Sequence, residues 1–95
     1  MDLGIEGRRA AVAAASAGLG LGCARALVRE GVDVAICGRE AERVDAAVAG
    51  LQADARSGAA VTGVVADVST VAGATGFVTD AAAALGGVDI LVTNA

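Results

Sequence analysis

Residues 13–22 read AAASAGLGLG, and Ser16, Gly18 and Gly20 within them are of types that can hold a phosphate. Glycine lets a backbone approach a ligand closely and adopt conformations closed to other residues. Where such a stretch opens a helix, free N–H groups and the positive end of the helix dipole attract a pyrophosphate. The Ser16 hydroxyl adds a further donor on the turn. The Gly-x-Gly-x-x-Gly fingerprint is met only in part, because Gly18-Leu19-Gly20-Leu21-Gly22-Cys23 carries Cys23 at its last place. Glycines that spare room where a helix packs on a sheet would give the same partial match.

The same residues imitate an export segment. Arg8 and Arg9 precede an apolar run over 10–22, and Cys23 stands where a lipidated cysteine would. Three features disagree. Asp2 and Glu6 lie in the part that should be basic. Gly18, Gly20 and Gly22 each weaken a helical apolar core by nearly ~1 kcal/mol. The chain continues past Cys23 as an ordinary amphipathic pattern, CARALVREG. The exported lipoprotein is therefore the third reading, behind two in which the stretch is a turn.

The elements that must position this turn follow from the apolar pattern. Residues 9–15 (RAAVAAA) form a continuous apolar run that suits a strand buried on both faces. Residues 18–30 predict a helix with Leu19, Cys23, Ala26 and Leu27 inward and Arg25, Arg29 and Glu30 outward, ended by Gly31. Residues 32–37 predict a second buried strand and Gly38-Arg39 a turn. Residues 40–56 predict a helix with Val44, Ala47, Val48 and Leu51 inward and Glu40 and Glu42 well placed in its first turn, and Gly58 closes that unit. A third strand is predicted over 60–66 and a turn at Asp67-Val68-Ser69-Thr70, where Ser69 or Thr70 caps the next helix. That helix, over 72–85, is weakened by Gly73 and Gly76; its stripe, with the flanking Val71, is Ala74, Phe77, Val78, Ala81 and Leu85. Gly86-Gly87 ends it, and 88–93 (VDILVT) predict a fourth strand. The order βαβαβαβ with short connections predicts an α/β fold, a doubly wound parallel sheet of the Rossmann type. In such folds a ligand sits beyond the carboxyl ends of the strands, and AAASAGLGLG falls there.

Composition bounds the partners. In 95 residues the apolar share is 56%, mostly Ala and Val with Phe77 as the single aromatic, so one thin-cored domain is expected. A net charge of −4 without basic runs argues against nucleic acid and an anionic membrane surface. No apolar stretch reaches the roughly 18 residues of a membrane span. The chain has no His, and Cys23 and Cys37 lack the spacing of zinc ligands, so no metal site is expected; two buried, reduced thiols in a cytoplasmic protein fit better.

Three segments in this order resemble the short-chain dehydrogenase/reductase family. VAAASAGLGLGCARALVREGVDV is similar to its cofactor turn, Thr-Gly-x-x-x-Gly-x-Gly, with Ala13 and Ala14 in place of the Thr and first Gly and with Ser16, Gly18 and Gly20 in register. VADVST resembles the segment after the third strand, where an Asp and its successor flank the adenine; here these are Asp67 and Val68. VDILVTNA resembles the fourth strand and the Asn-Asn-Ala-Gly motif, with Thr93, Asn94 and Ala95 in its first three places. The likeness covers essentially the whole chain and is closest to the 3-oxoacyl-acyl-carrier-protein reductase branch. It implies hydride transfer between a nicotinamide and a carbonyl or alcohol substrate in a homo-oligomer, dimer or tetramer. The cofactor-binding residues it implies are Ala14, Ser16, Ala17, Gly18, Leu19, Gly20, Arg39, Asp67, Val68, Asn94 and Ala95. Asp67 could instead merely end a strand and help cap a helix, and Asn94 could lock the fourth strand to its neighbour.

Cofactor choice turns on the end of the second strand, where an acid would bind the ribose 2′-hydroxyl and repel a 2′-phosphate. Here Gly38 takes that place and Arg39 follows. A guanidinium can fork onto a phosphate, so NADP(H) is favoured over NAD(H). Alternatively Arg39 is solvated and paired with Glu40 or Glu42. Asp33, Asp89, Arg8 and Arg9, at the far ends of the strands, are expected to be solvated. The family's catalytic Tyr and Lys have no counterpart, since the chain contains neither, nor its catalytic Ser and Asn, so no catalytic residue is assigned. The expectation is therefore the amino-terminal part, residues 1–95, of one Rossmann domain whose catalytic half is absent and which alone is inactive. A non-catalytic module that binds NADPH is the alternative.

Overall fold

The computed structural model describes residues 7–14, 18–56 and 58–93. The elements run β1 (Arg9–Val12), α1 (Gly18–Arg29), β2 (Asp33–Gly38), α2 (Ala41–Asp54), β3 (Val61–Val65), α3 (Val71–Leu85) and β4 (Ile90–Val92). All pairings are parallel and the sheet order is β3-β2-β1-β4. The predicted order of elements holds; β1, β3 and β4 are shorter than their apolar runs, and β2 keeps six residues but ends one later than predicted, at Gly38. β1 stops at Val12 because Ala13 and Ala14 already turn.

Successive residues of a strand face opposite sides of the sheet, and the two central strands use both. Ala10 and Val12 of β1 with Val34 and Ile36 of β2 join Ala24, Val28, Ala47 and Leu51, so α1 and α2 cover one face. Ala11, Ala13, Ala35 and Cys37 face the other way and pack with Phe77 and Ala81 of α3. On that second face the two central strands offer only Ala and Cys, and the single large ring of Phe77 packs against them, with Val64 of β3 alongside. This is the doubly wound arrangement.

Some expected side-chain positions shift. In α1 the buried residues are Gly20, Ala24 and Val28. Leu19 is 90% exposed and Cys23 only half-buried. Small residues at four-residue spacing let the helix lie close on the sheet, which outweighs the apolarity of Leu19 and Ala26. In α3, Val71 lies at the first turn, beyond the packed face, and is exposed. Arg9 and Asp89 are not simply solvated. The Arg9 Nε and N–H both donate to Asp89 Oδ2, at 3.2 and 3.0 Å, and Nη1 donates to the Gly86 carbonyl at 2.8 Å. Asp33 accepts the Ala60 N–H at 2.8 Å. These bonds close the amino-terminal edge of the sheet, opposite the candidate site.

Candidate functional site

Because the strands are parallel, β1, β2 and β3 deliver the residues that follow them to one edge. Ala14 leaves β1, Arg39 leaves β2, and Asp67 leaves β3. Ala66 donates its N–H to the Gly38 carbonyl at 2.9 Å, so Arg39 and Asp67 follow directly from two bonded neighbours.

The turn after β1 is held across the sheet. The Ala13 N–H donates to Val92 of β4 at 2.9 Å. The Ala14 N–H donates instead to the Cys37 thiol of β2 at 3.3 Å. Ala14 has φ +52°, and it is the one non-glycine with positive φ among the described residues. Gly18, at φ +65°, opens α1 in a conformation that favours glycine, and nothing lies where its Cβ would be. Gly20 is buried, which suits close packing of the helix on the sheet. Leu19 between them is exposed, and the first turn of α1 carries no acid, which leaves its positive end uncompensated. Ser16, Ala17, Asn94 and Ala95 lie outside the described residues.

The turn after β3 is held locally. Asp67 Oδ1 accepts the Ser69 N–H at 3.0 Å and the Ser69 hydroxyl at 2.6 Å. These two bonds, with a smaller contribution from the positive charge of Arg39, hold the Asp67 carboxyl below the usual carboxylate range. The Thr70 hydroxyl donates to the Asp67 carbonyl and accepts the Gly73 N–H at 3.0 Å, so Thr70 is the cap that opens α3. Both Ser69 bonds go to Asp67 Oδ1, and Oδ2 takes part in neither.

Arg39 is exposed and forms no salt bridge among the described residues, acting on Asp67 only through its charge; Glu40 pairs with Arg43 at 3.4 Å instead. Beside these turns is an apolar cavity of about 160 Å³, lined by Ala13, Val68, Phe77 and Thr93 among others. Burial pushes the Cys37 thiol up, against a smaller opposite effect of the Ala14 N–H. The donor set suits an anion at the mouth of α1 and a second anion at Arg39. Sequence reasoning missed the link between Cys37 and Ala14, and the alanine in a glycine position was the signal that could have led to it. Among the described residues no cluster of potential metal ligands forms, and no helix is long and apolar enough to cross a membrane.

The profile of the short chain dehydrogenase family matches residues 8–95. Gluconate 5-dehydrogenase of Gluconobacter oxydans is 44% identical over 50 residues, which is 53% of this chain and 20% of that protein. The structure of L-sorbose reductase from Gluconobacter frateurii, complexed with NADPH and L-sorbose, superposes with a TM-score of 0.91 at 35% identity, covering 100% of this chain and 35% of the other. A short chain dehydrogenase from Burkholderia cenocepacia in complex with NADP gives 0.85 at 39% identity, covering 96% and 36%. The chain thus spans a fifth of the curated relative and about a third of these structures.

Proposed function

We propose that this chain, which belongs to the short chain dehydrogenase family, forms the cofactor-binding part of an NADP(H)-dependent oxidoreductase. The nicotinamide, when bound, gives or takes the hydride. The chain's own residues bind and orient it. Ala14, Gly18, Leu19 and Gly20 are assigned to the pyrophosphate, with Ser16 and Ala17 on the motif alone, Arg39 to the 2′-phosphate, and Asp67 and Val68 to the adenine. Asn94 and Ala95 are assigned to the ribose side on the motif alone. The proton donor and its activating ammonium belong to a longer protein, since these 95 residues hold no Tyr and no Lys.

The observation that carries the choice of cofactor is Arg39, exposed and in no salt bridge among the described residues, one residue past the end of β2. In the full-length protein Arg39→Asp is expected to lower the NADPH-to-NADH preference at least tenfold, about 1.4 kcal/mol. Direct titration of both nucleotides measures it, and an unchanged preference refutes the assignment.

The substrate is a small carbonyl or its alcohol. The names of two relatives favour a polyhydroxylated one, a sugar or sugar acid, over the 3-oxoacyl thioester that the sequence likeness implied. Turnover of a ketose panel against a 3-oxoacyl thioester with NADPH separates the two. Binding of NADPH with turnover of neither favours a non-catalytic module. We place the protein in the cytoplasm, as a homo-oligomer.

A further inference from the structure

The turn after β1 contains a residue of the wrong type for its shape. Ala14 stands at φ +52°, where a Cβ crowds the following carbonyl, a strain that glycine escapes. Successive N–H groups of a strand point to opposite neighbours. Ala13 spends its N–H on Val92 of β4, so that of Ala14 points toward β2, past the last paired residues, Val12 and Ile36. The acceptor it meets there is the Cys37 thiol, 23 residues away along the chain. That thiol cannot swing aside. Cys37 is fully buried, packed on the α3 face with Ala11, Ala13, Ala35 and Phe77. A fixed acceptor beyond the end of the ladder thus holds the peptide between Ala13 and Ala14, and a flip of that peptide, the local motion that would carry Ala14 out of the left-handed region, would break the bond.

We propose that Cys37 is a positioning residue for the phosphate-facing turn, its sulfur holding Ala14 in the left-handed conformation that a glycine would adopt unaided. This rests on the cofactor reading of that turn. Without the bond the turn relaxes in the free protein, and nucleotide binding is weakened by the fraction of molecules that remain competent. The role also explains how Ala14 is tolerated at the centre of the motif.

The test is a cycle in the full-length protein: Cys37→Ala, Cys37→Ser, Ala14→Gly and Cys37→Ala with Ala14→Gly. NADPH affinity is read by fluorescence titration, and exchange of the Ala14 amide by NMR. Cys37→Ala is expected to weaken NADPH roughly fivefold, the worth of one net hydrogen bond, and to speed exchange of the Ala14 amide. Cys37→Ser, which keeps an acceptor, stays within about twofold of the parent. In the Ala14→Gly background the same Cys37→Ala change costs less than about twofold, because glycine needs no support. Equal losses in both backgrounds mean that Cys37 acts by packing alone and overturn the proposal, as does unchanged exchange of the Ala14 amide in Cys37→Ala. A parent protein that fails to bind NADPH overturns the cofactor reading instead, and the exchange data then still decide whether the thiol holds the turn.

Discussion

Two turns at the same edge of the sheet are fixed in opposite ways. The one after β1 depends on a distant partner: its strained Ala14 is bonded to a thiol on another strand. The one after β3 is self-contained: Asp67, Ser69, Thr70 and Gly73 bond among themselves within seven residues. The first inherits its shape from the sheet and fails if the sheet contact fails. The second carries its shape in its own sequence. In the proposed function the turn after β1 presents its N–H groups to a ligand, which favours a brace from outside the turn. A turn that presents a carboxylate can use its other groups as struts.

The largest expected effect strikes the self-contained turn. A Cβ at Gly73 would overlap the Asp67 carbonyl and crowd the Thr70 hydroxyl, whereas at Gly76, three residues on in the same helix, it would meet nothing. Gly73→Ala should destabilise the protein by about 2 kcal/mol, the cost of overpacking less the helix preference of alanine. Gly76→Ala should stabilise it by up to about 1 kcal/mol. Urea unfolding of the pair measures both. Equal effects of one sign would mean that the Asp67 loop does not lean on α3.

Next in size is the cap. Thr70→Ala removes the acceptor of the Gly73 N–H and the donor to the Asp67 carbonyl together. A loss of about 1 kcal/mol is expected, typical of an N-cap, with weaker NADPH binding if Asp67 moves with it. Thr70→Ser should recover most of both. Recovery of stability without recovery of binding would separate the cap from the site.

The same contrast governs what could be read from the sequence. The alternation of strands and helices was plain, because apolar runs and turn residues mark the boundaries, and the cap of α3 was narrowed to Ser69 or Thr70, because a capping bond is local. Leu19 was misread as buried because apolarity was weighed without closeness; a helix lying near a sheet selects Gly20, Ala24 and Val28. The pairing of Arg9 with Asp89 joins residues 80 apart and exists only because β4 lies beside β1. Cys37, read alone, is one more buried thiol. Its bond to Ala14 becomes visible once β1 and β2 are adjacent and the shape of the turn is known.

The smallest expected effect is the sharpest test of the contrast. Asp67 is held below the ordinary carboxylate range by the Ser69 hydroxyl and N–H. A carboxylate lowered by folding stabilises the fold fully above its unfolded pKa, and that contribution disappears as pH falls through the lowered folded value. Acidification should therefore loosen the turn after β3, with the Ser69 amide shift titrating at a midpoint below the ordinary carboxylate range. The Ala14 amide bonds a thiol that is raised, chiefly by burial, and stays neutral on acidification. Its shift should not move through the same range. If the two amides titrate together, the turns are coupled and the β1 turn leans on Asp67 as well as on Cys37. If the Ser69 amide titrates within the ordinary range, the Asp67–Ser69 bonds do not form in solution.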